Sequence, residues 1–445
     1  MKAPLRVKCR HRHRGLFVLR CEWETNTYLR ALSPCVRLYL TDAMSRYLEK
    51  KKPAQQHLFH PSVQLSNTTQ TQTHLNLNTN TSTNTNKAPP PDFTMSMSHL
   101  KRIAIVGVSP TTHPSSPQPP TNTPQAGGHI GRPIAEELLA SGRHTITALT
   151  RPGSTTPLPS GITRVEVSYT DTPALITALK DTQFLIITLS VAAPPETHST
   201  LVAAASAAGV PYIMPNVYGG DIFNPAMRAD DLYSAGAYEK CLEIASLPNT
   251  AYVAMCCGFW FEWSLAMGEN CFGIDIKNRK ATLYDDGNTR MTTSTWRQCG
   301  RGVAGLLALE EGVIREKFRN GPLYVASFTV TQREMLEAVW RVTGTKEGEW
   351  EVKNQGSRER YEQGLEEMKG GSREGFAKAL YARGFFPGGG ADFERERGLH
   401  NGVVGVEKEE LDEAVGRAVE MVRRGWTPGG GYESYDVEVV GGAGK

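Results

Sequence analysis

The stretch Arg102-Ile-Ala-Ile-Val-Gly107, read with Gly127-Gly-His-Ile-Gly-Arg-Pro-Ile134, decides the fold. The first piece is a short apolar strand ending in glycine, and the second opens a helix with an apolar face. A strand, a sharp glycine turn and a helix in this order hold the pyrophosphate of a dinucleotide in α/β proteins. Glycines allow the turn and the close backbone approach, and the helix N–H groups face the anion. Between the two pieces lies VSPTTHPSSPQPPTNTPQ, residues 108–125, six of them proline, with no strand or helix pattern. With these 18 residues removed the text reads RIAIVG-AGGHIGRPIAEELL. Gly107, Gly128 and Gly131 then take GxxGxxG spacing between strand and helix. The borders Val-Ser and Gln can be encoded by GTGAGT and CAG, the usual limits of an intron, and 18 codons preserve the frame. A retained intron is therefore expected, against the alternative of a loop that tolerates insertion. The uninterrupted chain is expected to bind a dinucleotide; the interrupted turn would bind it more weakly.

Outward from this turn, apolar strands and helical segments alternate. Strands are expected at 102–107, 144–150, 164–167, 184–189, 211–214 and 250–255, with helices at 130–141, 173–179, 196–208 and 229–245. This alternation predicts parallel strands with crossover helices, a doubly wound α/β sheet of Rossmann type. Beyond residue 259 the pattern becomes mixed. It includes a strand at 280–284, a helix capped by Ser294 or Thr295, and helices at 332–342, 373–382 and 408–424. The division expected is a dinucleotide-binding domain over 99–258, a smaller C-terminal substrate lobe over 259–428 with some elements joining the core, and a Gly-rich tail over 429–445.

Residues 1–98 read as a basic, low-complexity extension. From Ser66 to Asn86, 18 of 21 residues are Ser, Thr, Asn or Gln, too little apolar surface to offset ordering entropy. A translation start at Met95 or Met97 is expected; a start at Met95 and excision of the insert leave 333 residues of the 445. The charge divides at the same place. Residues 1–94 carry 14 Lys and Arg against 5 Asp and Glu, and the rest carries 35 against 41. An acidic body offers no broad field for phosphate backbones, so nucleic acid is excluded as a partner. No apolar run reaches the length of a membrane span. Eight cysteines without CxxC spacing suit a reducing, cytoplasmic setting without a disulfide framework or metal site.

The end of the second strand, Leu149-Thr150-Arg151-Pro-Gly, lacks the acid that commonly holds the ribose hydroxyls of NAD. Arg151 instead could pair with a 2′-phosphate, which predicts NADP; the alternative is a solvated arginine at a strand end. Several stretches now carry a resemblance: GAGGHIG after excision, Thr150-Arg151, AAGVPYIMPNVYG (207–219), Lys240, and GIDIKNRKATLYDDGNTRMTTSTWRQCGRGVAGLLAL. With these the chain resembles the NmrA-like and isoflavone-reductase-like group of atypical short-chain dehydrogenases, in particular its fungal members, over about residues 100–425. The resemblance implies that the glycine loop holds pyrophosphate, Arg151 the 2′-phosphate, and Lys240 the nicotinamide side.

A reduction by NADPH needs a proton donor beside the hydride face, and a half-buried lysine with a lowered pKa can serve. Lys240 lies between the fifth and sixth strands, near their ligand-bearing ends; an ordinary surface lysine is the alternative. The usual Tyr-x-x-x-Lys pair is absent, since position 236 is Gly. His129 and Ile130 would offer backbone N–H groups to pyrophosphate. Asp171 could approach the adenine, and Ser190 and Asn216 the nicotinamide, each equally placed to cap a loop instead. Phe259-Trp-Phe-Glu-Trp263 could stack a planar substrate or pack between lobes. The expectation is an NADPH-dependent reductase of a small organic substrate of aromatic or secondary-metabolite type, acting as monomer or homodimer. A non-catalytic NAD(P)-sensing regulator of the NmrA type is the rival.

Overall fold

The computed structural model describes residues 98–107, 129–155, 157–190 and 193–426. The basic extension, the insert 108–125, Gly128 and the Gly-rich tail lie outside the described residues.

Seven parallel strands form the main sheet. They are β1 (Arg102–Val106), β2 (Thr145–Thr150), β3 (Thr163–Glu166), β4 (Phe184–Ile187), β5 (Tyr212–Met214), β7 (Ala251–Cys256) and β12 (Gly321–Tyr324), with the two-residue β6 (Tyr218–Gly219) beside β7. Their spatial order is β3-β2-β1-β4-β5-β7-β12, every pairing parallel. The order reverses between β1 and β4, which opens a crevice at the strands' carboxyl ends, where doubly wound folds bind ligands.

The central strands β1, β4, β5 and β7 are apolar on both faces because helices cover both. On one face Ile103 and Ile105 meet α1 (Gly131–Ala140) and α7 (Trp296–Ala308). On the other, Ala104, Val106, Leu185 and Ile187 share a core with residues of α2 (Thr172–Ala178), α3 (Pro195–Ala207) and α5 (Ser234–Ala245). The alternation within β1 thus divides one strand between two cores.

Two findings differ from the sequence reading. The helix expected at 229–245 is two helices, α4 (Pro225–Asp230) and α5, because Asp231 breaks the run and accepts hydrogen bonds from both the backbone and hydroxyl of Ser234. The seventh strand, β12, was not expected. It is four residues long and holds Pro322, which an edge position tolerates because no further strand needs its N–H.

The remaining elements build a third core around Phe261, Phe272, Tyr284, Phe328, Tyr381 and Phe385. One small sheet joins β9 (Ile274–Asp275), β10 (Lys280–Tyr284) and β14 (Glu351–Gln355); another joins β8 (Phe259–Trp260), β11 (Met291–Ser294) and β13 (Phe328–Val330). Around them lie α6 (Phe261–Ala266), α9 (Gln332–Thr343), α10 (Ser357–Lys369), α11 (Arg373–Gly384) and α13 (Leu411–Arg423), while α8 (Glu311–Lys317) buries Ile314 in the first core and α12 (Phe393–Arg397) buries Phe393 in the second. Phe259 stacks on Tyr381 with centroids 4.0 Å apart, and Phe261 is fully buried. The aromatic run after β7 therefore packs the molecule's interior. Among the described residues no helix is long and apolar enough to cross a membrane.

Candidate functional site

Gly107 ends β1 at φ +89°, and a β-carbon there would sit 2.2 Å from the carbonyl oxygen of Thr188. Only glycine admits this backbone crossing. Thr188 in turn binds Val106 O through its amide at 2.9 Å and its hydroxyl at 2.7 Å, locking the ends of β1 and β4 together.

Across the crevice α1 begins at Gly131 after Ile130. Among the described residues no side chain caps this start and its first turn holds no acid, an arrangement that favours an anion at the helix N-terminus. The residues present are therefore suited to a pyrophosphate. His129, Ile130 and Gly131 are all buried here, whereas Gly128 is outside the described residues.

Thr150 ends β2 and is buried; its carbonyl accepts from Val167 N at 2.8 Å. Arg151, the next residue, is exposed, and among the described residues it makes no ion pair. Glu166, on the neighbouring strand, accepts from the Gly153 amide at 3.1 Å. Tyr169 donates to Leu149 O at 2.8 Å; burial pushes its hydroxyl up to about 12, with the Arg151 charge opposing. A guanidinium thus stands at the end of β2 with its charge uncommitted.

At the other end, Asn216 donates from Nδ2 to Leu189 O at 3.1 Å, and its own carbonyl accepts from Lys240 Nζ at 3.5 Å. Two predicted residues, Asn216 and Lys240, meet through this arrangement, and the half-buried Ser190 follows Leu189 in the chain. Burial lowers the pKa of Lys240, opposed by the nearby Cys241 thiol and Glu243. Glu243 stands one turn along α5 and contacts His198 Nδ1 of α3 at 3.3 Å. Burial first, then the Lys240 charge, lowers the His198 pKa to about 4. The imidazole is therefore neutral at physiological pH.

Asp171 does not join either group. It is exposed and caps α2, accepting from Ala174 N at 3.0 Å. Three residues of these surroundings escaped the sequence reading. Glu243 lies at the i+3 position from Lys240 and could have been noticed by helical spacing. His198 and Trp296 carry no such signal, because each reaches the site from a distant element.

A cavity of about 250 Å³ lies elsewhere, bounded by Arg290, Phe386, residues 388–390, Asp392, Arg395 and Glu396. It includes none of the predicted cofactor residues, and its lining mixes both charge signs. The crevice at the strand ends, not this cavity, carries the convergent groups.

Known proteins share this fold. The model of an NAD(P)H-binding domain matches residues 126–222, from the glycine turn through β5 and β6. Oxidoreductase aprR of Aspergillus flavus is 26% identical over 298 residues, covering 65% of this chain and 95% of its own. The structure of an isoflavone reductase has 18% identity and a TM-score of 0.52, covering 71% of this chain and 98% of that one. A reductase solved with NADP+ and (+)-pinoresinol has 18% identity and a TM-score of 0.54, covering 72% and 99%. The chain thus holds an NAD(P)H-binding segment, shares the fold of isoflavone reductase and is similar in sequence to fungal oxidoreductases.

Proposed function

We propose that the protein reduces a small organic molecule of aromatic or secondary-metabolite type with NADPH. The observation that carries this reading is the meeting of Lys240 and Asn216 at the carboxyl ends of β4 and β5, across from the uncapped start of α1. When bound, NADPH supplies the hydride. The N–H groups of His129, Ile130 and Gly131, with the glycines at 107 and 128, hold the pyrophosphate. Thr150 ends the strand that presents Arg151, and Arg151 pairs with the 2′-phosphate, which favours NADPH over NADH.

Lys240 delivers the proton to the substrate atom that gains negative charge, such as a carbonyl oxygen. Its burial lowers the cost of giving up that proton. Asn216 O orients the ammonium group, and Ser190 lines the same side. Asp171 enters this reading only by fixing the loop after β3 through its cap. The five described cysteines are buried free thiols, which agrees with a reducing cytoplasmic setting. The aromatic character of the substrate is drawn from the pinoresinol-bound neighbour.

Calorimetry on the purified full chain tests the cofactor, with NADPH expected to bind well above NADH; equal binding would remove Arg151 from the assignment. A panel of carbonyl and phenolic substrates tests the chemistry. NADPH oxidation should appear with at least one and vanish in Lys240→Ala while binding persists. Binding without turnover across the panel would favour the regulator.

A further inference from the structure

We propose that Trp296 and Trp426 bracket His129 and thereby set the start of α1 for the cofactor's pyrophosphate. They are positioning residues for dinucleotide binding, and the C-terminal helix acts through them. The proposal rests on the reading above, that the start of α1 takes the pyrophosphate.

Four aromatic side chains from four separate elements meet beside the glycine turn. The His129 ring is 2% exposed and lies flat on Trp296, with centroids 5.4 Å apart and planes 8° apart. Trp426 presents an edge to both, at 6.3 Å from His129 and 6.4 Å from Trp296. Trp260 is tilted against Trp296 at 6.3 Å. His129 precedes Ile130, the N-cap of α1, so holding its ring holds the backbone that would face the anion.

The bracket is itself anchored from the C-terminal segment. Thr295 caps α7 by accepting from Gln298 N, and its hydroxyl donates to Glu409 at 2.6 Å. The amide of Trp296 donates to Glu262 at 3.4 Å. Glu262 is 1% exposed and paired with Arg417 of α13 at 3.2 Å. Gly425, at φ +69°, then reverses the chain after α13, and Trp426 N returns to Met421 O at 2.9 Å. This is a Schellman turn, and it brings Trp426 back onto the bracket. On the opposite flank α7 lies directly on α1: a β-carbon at Gly300 would come within 2.5 Å of Pro133 O, and Arg297 pairs with Glu137 at 3.0 Å. The start of α1 is thus held by α7 below and by the bracket at its end.

The test uses the full-length protein, isothermal titration with NADPH and with NADH, and indole fluorescence. Trp426→Ala removes edge-to-face contacts worth a roughly three- to tenfold change in affinity. It is expected to raise both dissociation constants by the same factor and leave the NADPH preference unchanged, because the pyrophosphate is common to both. Trp426→Phe should restore binding to within about twofold, since the stacking geometry survives. Titration of the wild type should change indole emission, and Trp426→Ala should reduce that change. Wild-type affinity in Trp426→Ala would overturn the bracket while leaving the proposed function standing. So would a Phe variant as weak as the Ala variant with the same loss of melting temperature, the mark of a merely structural role. No binding of either dinucleotide by the wild type would overturn both readings together.

Discussion

The two ends of the crevice are built from different physics. At the glycine-turn end, Gly107 is fixed by backbone contact with Thr188, and His129 by aromatic stacking on Trp296 and Trp426. At the lysine end, Lys240, Glu243 and His198 are held by charge, burial and hydrogen bonds; the Glu243 charge bears on the proton affinity of both Lys240 and His198, and the Lys240 charge on that of His198. The first arrangement suits a fixed anion cradle. The second suits proton transfer. Affinity and chemistry therefore have separate structural owners, and the separation can be attacked from either side.

The largest effect is expected at Gly107. Gly107→Ala forces an L side chain to φ +89° and a β-carbon to 2.2 Å from a backbone oxygen. The cost should be roughly 2–4 kcal/mol in urea unfolding, with cofactor binding abolished. Near-native stability would mean that the crossing of β1 and β4 is looser than described.

Lys240→Ala should leave the NADPH dissociation constant unchanged and lower turnover on the order of a hundredfold or more. The sign of its pH dependence follows from burial. A general acid must be protonated, and burial lowers the Lys240 pKa from 10.5. The alkaline limb of turnover should therefore fall below the ordinary lysine range. Glu243→Gln removes a charge that favours the ammonium, so the limb should move to still lower pH. A profile unmoved by Glu243→Gln would break the electrostatic account of this end.

Arg151→Ala should weaken NADPH binding by roughly ten- to a hundredfold, the scale of a charge-assisted bond, without changing NADH. Titration at several pH values between 6.5 and 8 should show the same loss throughout. A loss shared equally by NADH would assign Arg151 to the backbone of the dinucleotide rather than to its 2′-phosphate.

The smallest effect is on acid stability. The folded pKa of His198, about 4, lies below its ordinary 6.5, so between these values the unfolded chain binds more protons. The stability this group contributes is complete above pH 6.5 and is lost as pH falls towards 4. His198→Gln should flatten the acid limb of the stability curve. An acid limb as steep in the variant would assign the protons to other groups.

Much of the sheet was legible in the chain. The six expected strands are present, most clearly where an apolar run is continuous and buried on both faces, as in β4, Phe184–Ile187; the edge strand β3, TRVE, is only half-buried. β10 and the Thr295 cap were legible for local reasons too: a regular alternation in one case, a hydroxyl before a helix in the other. β12 was not, because four residues containing a proline carry no periodicity and gain their strand form only by pairing with β7. Nor could the chain separate the roles of its polar candidates. Asp171 and Asn216 both follow strands, yet one caps a helix and the other ties Leu189 to the carbonyl that meets Lys240.

The sequence by itself determined what depends on neighbours a few residues away: apolar strands, helix starts, and a glycine where β1 must turn. Only the tertiary structure decided which distant side chains share a site. His129 and Trp426 are nearly three hundred residues apart, and His198 and Glu243 occupy different helices. No local period links them. They meet because crossover helices and the C-terminal elements are pressed onto the same sheet, and closure of that packing chooses the partners.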